Sequence, residues 1–437
     1  MNAIRLVDPR RCGCVTLLFC TATLAPLMQG ADAGSAPKVT FSKDVAPILQ
    51  RSCQNCHHPG SIAPMSLMTY QDVRPWARSI RERVVRREMP PWYVERNIGI
   101  HKFKNDPSLS DREIATMVNW LDTGSPEGNP ADLPPRLTFD DESAWHIGKP
   151  DIIIKPAKVL TVQAQAPDQW IDLDDIETGI TEDRYIQAVE SRPALPGAQK
   201  VVHHATTSMS FPGKAGGPDS GGFLNEYAVG KNADVFPQDT GRLIKAGTKI
   251  HMNVHLHSVG QQMQAQVEVG LKLYPKGYVP KHVIVAEHVG DSFDSIEIPA
   301  NTENARADGY FLLTRPAQVV SFQPHMHNRG SRECVEAIYP NGKVETLSCA
   351  KHNFAWMLAY TYADDVAPVL PANTTLHIIS WYDNTANNKY NPDPKNFVGF
   401  GNRSVDDMSF AWMNVYYLSP DEYQQRTQER DRARGTQ

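Results

Sequence analysis

Cys53-Gln54-Asn55-Cys56-His57 sets two thiols three positions apart, with an imidazole directly after the second. That spacing is the attachment site of a covalent haem c, in which the thiols become thioethers and the histidine becomes the proximal iron ligand. A redox dithiol or half of a zinc site also uses C-x-x-C. Neither needs His57, and no second C-x-x-C is present to complete a zinc site. Three methionines downstream, Met65, Met68 and Met89, are candidates for the sixth iron ligand. Met89 is the preferred one. Pro90-Pro91 follow it, and their fixed dihedrals and missing amide donors hold a loop open to present a thioether. Met65 and Met68 can pack as core.

Histidines gather in three later places: Val202-His203-His204-Ala205, His251-Met252-Asn253-Val254-His255-Leu256-His257 and Pro324-His325-Met326-His327. Imidazoles of this kind are ordinary ligands of first-row transition metals. Residues two apart on a strand face the same way, so His325 and His327 can direct both rings at one metal. His203 and His204 are adjacent and would point to opposite faces of a regular strand. Joint ligation there requires a bulge or a strand end. His251 and His257 share a face with His255, so either can replace it as ligand or orient it.

The elements that must carry these groups change character along the chain. Up to about residue 128 the pattern is helical. Ser42 is placed to cap a short helix with Val45, Ile48 and Leu49 that delivers Cys53. Ser110 and Glu113 form a capping box, Ile114, Met117, Val118 and Leu121 lie on one face, and Gly124 supplies the stop. Prolines 126, 130, 134 and 135 mark a linker over 129–149. From about 150 onward, short β-branched runs such as Asp151-Ile152-Ile153-Ile154 and Thr375-Leu376-His377-Ile378-Ile379 alternate with Gly, Pro and Asn turns, the texture of β-sandwiches.

Arg5, Arg10 and Arg11 precede an apolar run from Val15 to Leu27 and then Ala31-Asp32-Ala33, which predicts an export signal over 1–33 and a periplasmic or secreted protein. Phe19 before Cys20 argues against a lipoprotein. No later run is long enough to span a membrane. Loss of the signal removes Cys12, Cys14 and Cys20. Of the four cysteines that remain, Cys334 and Cys349 lie symmetrically about Asn341-Gly342, a dipeptide that favours a tight hairpin turn. In an oxidising compartment that placement predicts a disulfide. A net charge of -5 with both signs interspersed excludes nucleic acid as a main partner.

The order His203-His204, then His255 with Gly260 downstream, then His325-Met326-His327-Asn328-Arg329-Gly330, then Asp406-Asp407-Met408, resembles the copper type II, ascorbate-dependent monooxygenases. This is the family of the peptidylglycine-hydroxylating and dopamine β-monooxygenases, and the resemblance covers roughly residues 150–420. It implies two copper ions. His203, His204 and His255 would hold an electron-transfer copper, and His325, His327 and Met408 an oxygen-binding one. It further implies hydroxylation of a C–H bond of a small-molecule substrate by O2, with ascorbate or another exported electron donor. Where the peptide-hydroxylating enzymes carry a carboxylate-binding arginine, this chain has Gln323. Phe410 and Trp412 stand near substrate-contact positions, so the expected substrate is apolar or aromatic. The expected architecture is multidomain. A small all-α cytochrome c domain (38–128) precedes two all-β antiparallel jelly-roll sandwich domains (150–280 and 281–420) and a charged tail (421–437). The rival expectation is a non-catalytic periplasmic electron-transfer or copper-handling protein.

Overall fold

The computed structural model describes residues 38–437 apart from 60, 140–144, 213–221, 232, 291–295 and 436–437. The expected export signal lies outside the described residues. Residues from Val39 to the C-terminus form one compact unit.

The first part of that unit is helical. A π turn over Phe41–Val45 runs into the helix Ala46–Ser52. The cap is Thr40, whose hydroxyl accepts from the Lys43 N–H; Ser42, the expected cap, is buried and donates to the Glu127 carbonyl at 2.9 Å. Its hydroxyl therefore ties the start of the helix to residue 127. The helix ends where the Cys53 N–H donates to Leu49, which presents the Cys-x-x-Cys-His turn. The helix Asp111–Asp122 carries the expected capping box, and Met117 and Trp120 anchor it. Leu49, Leu67, Val73, Ile80, Val84 and Trp120 belong to one apolar core, and Cys53 and Met65 lie against it.

The remainder is mostly antiparallel β-sheet. The four-stranded sheet Gln169–Glu177, Lys249–Leu256, Val202–Ser210 and Phe223–Ala228 shares a core with Ile152–Ile154, Arg184–Pro193 and Val267–Leu273. A second four-stranded sheet, Glu303–Leu313, Thr374–Asp383, Gly330–Ile338 and Val344–Lys351, shares another core with Ala317–Val319 and Phe410–Tyr417. The facing partners of these two sheets are not separate. Residues 240–241 pair in parallel with 282–283 and join both halves into one eleven-stranded sheet. The expected boundary at 280/281 is thus bridged by backbone hydrogen bonds.

Three further segments depart from expectation. Residues 92–103, placed by sequence in the helical part, pack into the second β core. Val94 and Phe103 are members of it, and Val94 bridges Ala350 while Phe103 bridges Tyr362. Gly99, with φ +64°, is required there because a Cβ would lie 2.3 Å from the Leu347 carbonyl oxygen. In the linker, Phe139 stacks on His58 and the Gln50 amide donates to the Pro135 carbonyl. The charged tail is the helix Pro420–Gly435, with Tyr423 against the first β core. Asp421 and Glu422 sit in its first turn, where they meet the positive end of the helix.

Cys334 and Cys349 pair across Gly330–Ile338 and Val344–Lys351 and are joined as a disulfide. The turn between these strands is wider than the expected tight one: Tyr339 and Lys343 pair by backbone, and of Asn341 and Gly342 only Gly342 takes the left-handed conformation, at φ +82°.

Candidate metal centres

Cys53 and Cys56 are free thiols, and burial pushes Cys53 up to about 12. The His57 Nδ1–H faces the Met65 carbonyl at 3.1 Å, a bond that fixes the ring and leaves Nε2 for another partner. Burial lowers the His57 pKa, which favours the neutral ring a metal requires. The Met65 backbone lies on the Nδ1 side of this ring. Met89 is half-buried ahead of the segment that enters the second β core, and Met68 is half-buried before the helix Tyr70–Val73.

The second centre is built on a bulge. The pairing of Val202–Ser210 with Lys249–Leu256 skips a residue between Val202 and His204, leaving His203 as the extra one, so both adjacent imidazoles turn to the same side. His203 Nδ1 and His204 Nδ1 are 3.2 Å apart, and His255 Nδ1 and His204 Nδ1 3.3 Å. A single proton on His204 can satisfy one of these contacts and leaves lone pairs facing in the other. A cation at the centre satisfies all three. Three nitrogens about 2.0–2.1 Å from a tetrahedral ion stand roughly 3.3 Å from one another, which matches the two separations from His204. Among the described residues these three are the cluster of His, Cys and acidic side chains tight enough to hold an ion. Burial depresses His203 to about 4 and His204 well below the ordinary range, so both are neutral near pH 7.

The surroundings orient these rings. Asp168 accepts from His255 Nε2–H at 3.0 Å and from His257 Nδ1–H at 2.7 Å. Those bonds hold Asp168 down at about 2 and leave the His255 Nδ1 lone pair pointing inward. His257 therefore touches the carboxylate, while His251 lies beside Asp172 and Asp175, so His255 is the member of its strand that joins the cluster. Trp170 stacks on His255 with ring centres 4.3 Å apart. Sequence reasoning passed over Asp168 because a lone aspartate carries no spacing signal.

His325 is the last residue of the strand Ser321–His325, and His327 stands in the turn beyond it. Two-residue alternation along one strand is therefore not what sets this pair; the turn does, bringing the rings to 5.3 Å between centres. Phe410 pairs with His325, and Asp407 and Met408 lie just ahead of that strand. Asp407, fully buried, holds the junction: its carboxylate accepts from the backbone N–H groups of His327 at 2.9 Å, Met408 at 3.0 Å and Arg329 at 3.1 Å. His327 Nδ1–H faces the Asp406 carbonyl at 3.3 Å, which leaves Nε2 for a ligand. Burial holds His327 at about 4 and His325 well below the ordinary range. Neutral imidazoles such as these two are donors that copper accepts. Gly330 closes the turn, since a Cβ would lie 2.5 Å from the Met326 Cβ and 2.8 Å from the His352 Cδ2.

His325 is flanked by aromatic rings. Phe410 stacks on it at 4.6 Å, His288 lies on Phe410 at 4.2 Å, and Trp412 stacks on Phe223 at 4.3 Å. Gln323 is buried, accepts from Lys231 Nζ at 3.2 Å and donates to Glu226, so it is committed to a polar network within the protein.

No family model matches the sequence, and no curated protein matches it. Among solved structures, the major capsid protein P2 of bacteriophage PM2 aligns at 6% identity over 61% of this chain and 98% of that chain, with a TM-score of 0.29. PNGF-II aligns at 11% identity over 64% of each chain, with a TM-score of 0.21. Likenesses of this size carry no argument. Among the described residues, no helix is long and apolar enough to cross a membrane.

Proposed function

We propose that this chain is an exported copper-dependent monooxygenase that hydroxylates a C–H bond of a small apolar or aromatic substrate, with a covalent haem c as electron relay. The observation that carries this is the approach of His203 Nδ1 to His204 Nδ1 at 3.2 Å and of His255 Nδ1 to His204 Nδ1 at 3.3 Å, alongside a second pair, His325 and His327, with Asp407 tying the backbone of His327 to that of Met408. His203, His204 and His255 would hold one copper, and His325, His327 and Met408 the other. Cys53, Cys56 and His57 would hold the haem, with Met89 as sixth ligand. Bound copper at the methionine site supplies the O2 chemistry, and the haem supplies single electrons from ascorbate or another exported donor.

The remaining work belongs to the chain. Asp168 keeps the His255 Nε2–H occupied, and Asp406 does the same for His327 Nδ1–H, so each ring offers its other nitrogen. Asp407 holds His327 and Met408 in one frame through their amides. Phe410, Trp412 and Phe223 give an apolar wall beside His325, fitting an apolar or aromatic substrate in place of a carboxylate-bearing one. Purified protein should carry two coppers per chain and one haem that survives acid-acetone extraction. A screen of small aromatics and lipids should find substrate-dependent oxygen uptake with hydroxylated product in proportion. Full metal loading with no oxygen uptake on any substrate would instead favour an electron-transfer or copper-handling protein.

A further inference from the structure

The segment that follows Met89 docks on the strand that leads to both histidine clusters. The Lys351 N–H donates to the Tyr93 carbonyl at 3.0 Å, and the Glu95 N–H donates to the Cys349 carbonyl at 2.8 Å. Residues 93–95 thereby extend the edge of Val344–Lys351. The Arg332–Glu95 ion pair, 2.6 Å, and the Cys334–Cys349 disulfide brace that edge. The strand runs directly into His352-Asn353-Phe354. The Asn353 amide donates to the Tyr93 hydroxyl at 3.0 Å, and the Tyr390 hydroxyl donates to the Asn353 carbonyl oxygen at 2.9 Å. Phe354 then stacks on His203 with ring centres 5.3 Å apart and planes within 25°. From Tyr93 to His203 every step is a covalent bond, a hydrogen bond or a ring contact between half-buried groups.

We propose that Tyr93, Asn353 and Phe354 form a fixed strut that conducts electrons from the haem segment to the three-histidine centre. The inference rests on the haem and copper assignments above and adds the route between them. With both groups bound, one electron would leave the ferrous haem, making it ferric, and would convert a cupric ion held by His203, His204 and His255 to cuprous. No bond forms or breaks along the strut, and no proton has to move. Electron tunnelling falls off more slowly through bonded and packed atoms than across water, so the strut's continuity favours this path. Tyr93, Asn353 and Phe354 are positioning residues here, and none is placed as a ligand.

The test uses the full-length protein loaded with haem and Cu(II), given a sub-stoichiometric photochemical pulse of electrons under anaerobic conditions. Decay of the ferrous haem band and loss of the cupric electron paramagnetic resonance signal are followed together. Phe354→Leu, which keeps an apolar side chain but removes the ring, should slow both on the order of tenfold, and Tyr93→Phe, which removes only the hydroxyl, should slow them less. Copper content and the cupric spectrum should be unchanged in both variants. In a Cys53→Ala/Cys56→Ala background without haem, direct reduction of the cupric signal by ascorbate should proceed at the same rate with or without Phe354→Leu. Unaltered haem-to-copper rates in both variants overturn the strut while leaving the oxygenase assignment intact. An equal slowing of direct reduction also overturns it, because the residues then act on the copper site itself. Absence of haem or copper from the wild-type protein removes the assignment and the strut with it.

Discussion

Met408 is the soft ligand proposed for the second centre and lies far along the chain from His325 and His327, so it separates metal ligation from packing. Met408→Ala should preserve the covalent haem and copper at the three-histidine centre, while lowering Cu(I) stoichiometry to one per chain and abolishing hydroxylation, since alanine offers no ligand. A methionine that only packs predicts a loss of about 2–5 kcal/mol with both coppers retained. Copper analysis after Cu(I) loading, alongside thermal unfolding, distinguishes the two. Glu226 makes a second residue-level prediction. Burial raises its pKa from 4.5 to about 7, so the folded chain holds this proton more tightly than the unfolded chain does. Its contribution to stability is complete below about 4.5 and is lost as pH rises through 7, up to ~3 kcal/mol in all. Glu226→Gln can still accept from Gln323 and removes this loss. It should raise the melting temperature at pH 8 and leave it nearly unchanged at pH 5; an equal shift at both pH values would refute the assignment. The histidine clusters were legible in the sequence because they recur in pairs and at fixed spacing. Asp168, Asp407 and Glu226 act through burial and hydrogen bonds made only in three dimensions, and the Asp-Asp-Met motif gave no hint that Asp407 serves the backbone.

Elements were legible to the extent that their signals are local. The capping box of Asp111–Asp122 lies within four residues and formed as expected, as did the cysteine pair about Asn341-Gly342. For joint ligation the adjacent pair His203-His204 required a bulge or a strand end, and the strand has a bulge there. By contrast, Tyr93-Val94-Glu95 is too short to register as a strand, and its partner at 349–351 is remote in sequence, so nothing local announces the pairing. The same distance concealed that 240–241 and 282–283 pair across the expected domain boundary. The disulfide hairpin supports the edge on which residues 93–95 dock, which gives the element-scale prediction. Replacing Cys334 and Cys349 together by alanine should cost about 3 kcal/mol, the amount a loop of this length removes from the unfolded chain's entropy. The destabilisation should also spread. Amide exchange of Glu95 and Lys351, which bond across this edge, should accelerate by more than that of the strands Gln169–Glu177 and Lys249–Leu256 in the other core. Uniform acceleration throughout would mean that the hairpin lends the edge no local support.

On the scale of the whole molecule, the helical segment and the β-rich remainder are joined by more than a linker. Val94 and Phe103 are buried members of the second β core, Trp92, Tyr93 and Ile100 pack against it, and Trp92 meets Tyr360 edge-on at 4.8 Å between ring centres. Burial of each large apolar side chain contributes about 1.5–3 kcal/mol, so losing Val94 and Phe103 alone removes roughly 3–6 kcal/mol. That is a substantial part of the ~5–15 kcal/mol by which natural domains are stable. Cutting the chain at the expected linker and expressing 150–437 alone should therefore give a protein with a much lower melting temperature, or one that aggregates through the exposed face around Leu347, Tyr360 and Tyr362. A chain that begins at Trp92 removes the Cys-x-x-Cys-His motif but keeps the docked segment, and it should melt close to the full-length protein. Two beads on a string predict otherwise: the 150–437 protein would be as stable as the intact chain, and restoring 92–149 would add nothing. Comparing the three melting curves in the absence of metal keeps ligand binding out of the result. The joined arrangement bears on the proposed function as well, because a haem-bearing donor segment that shares a core with copper-bearing sheets would meet its acceptor at a fixed distance. Linker length then has no effect on the encounter, whereas on a flexible tether it would set the effective concentration.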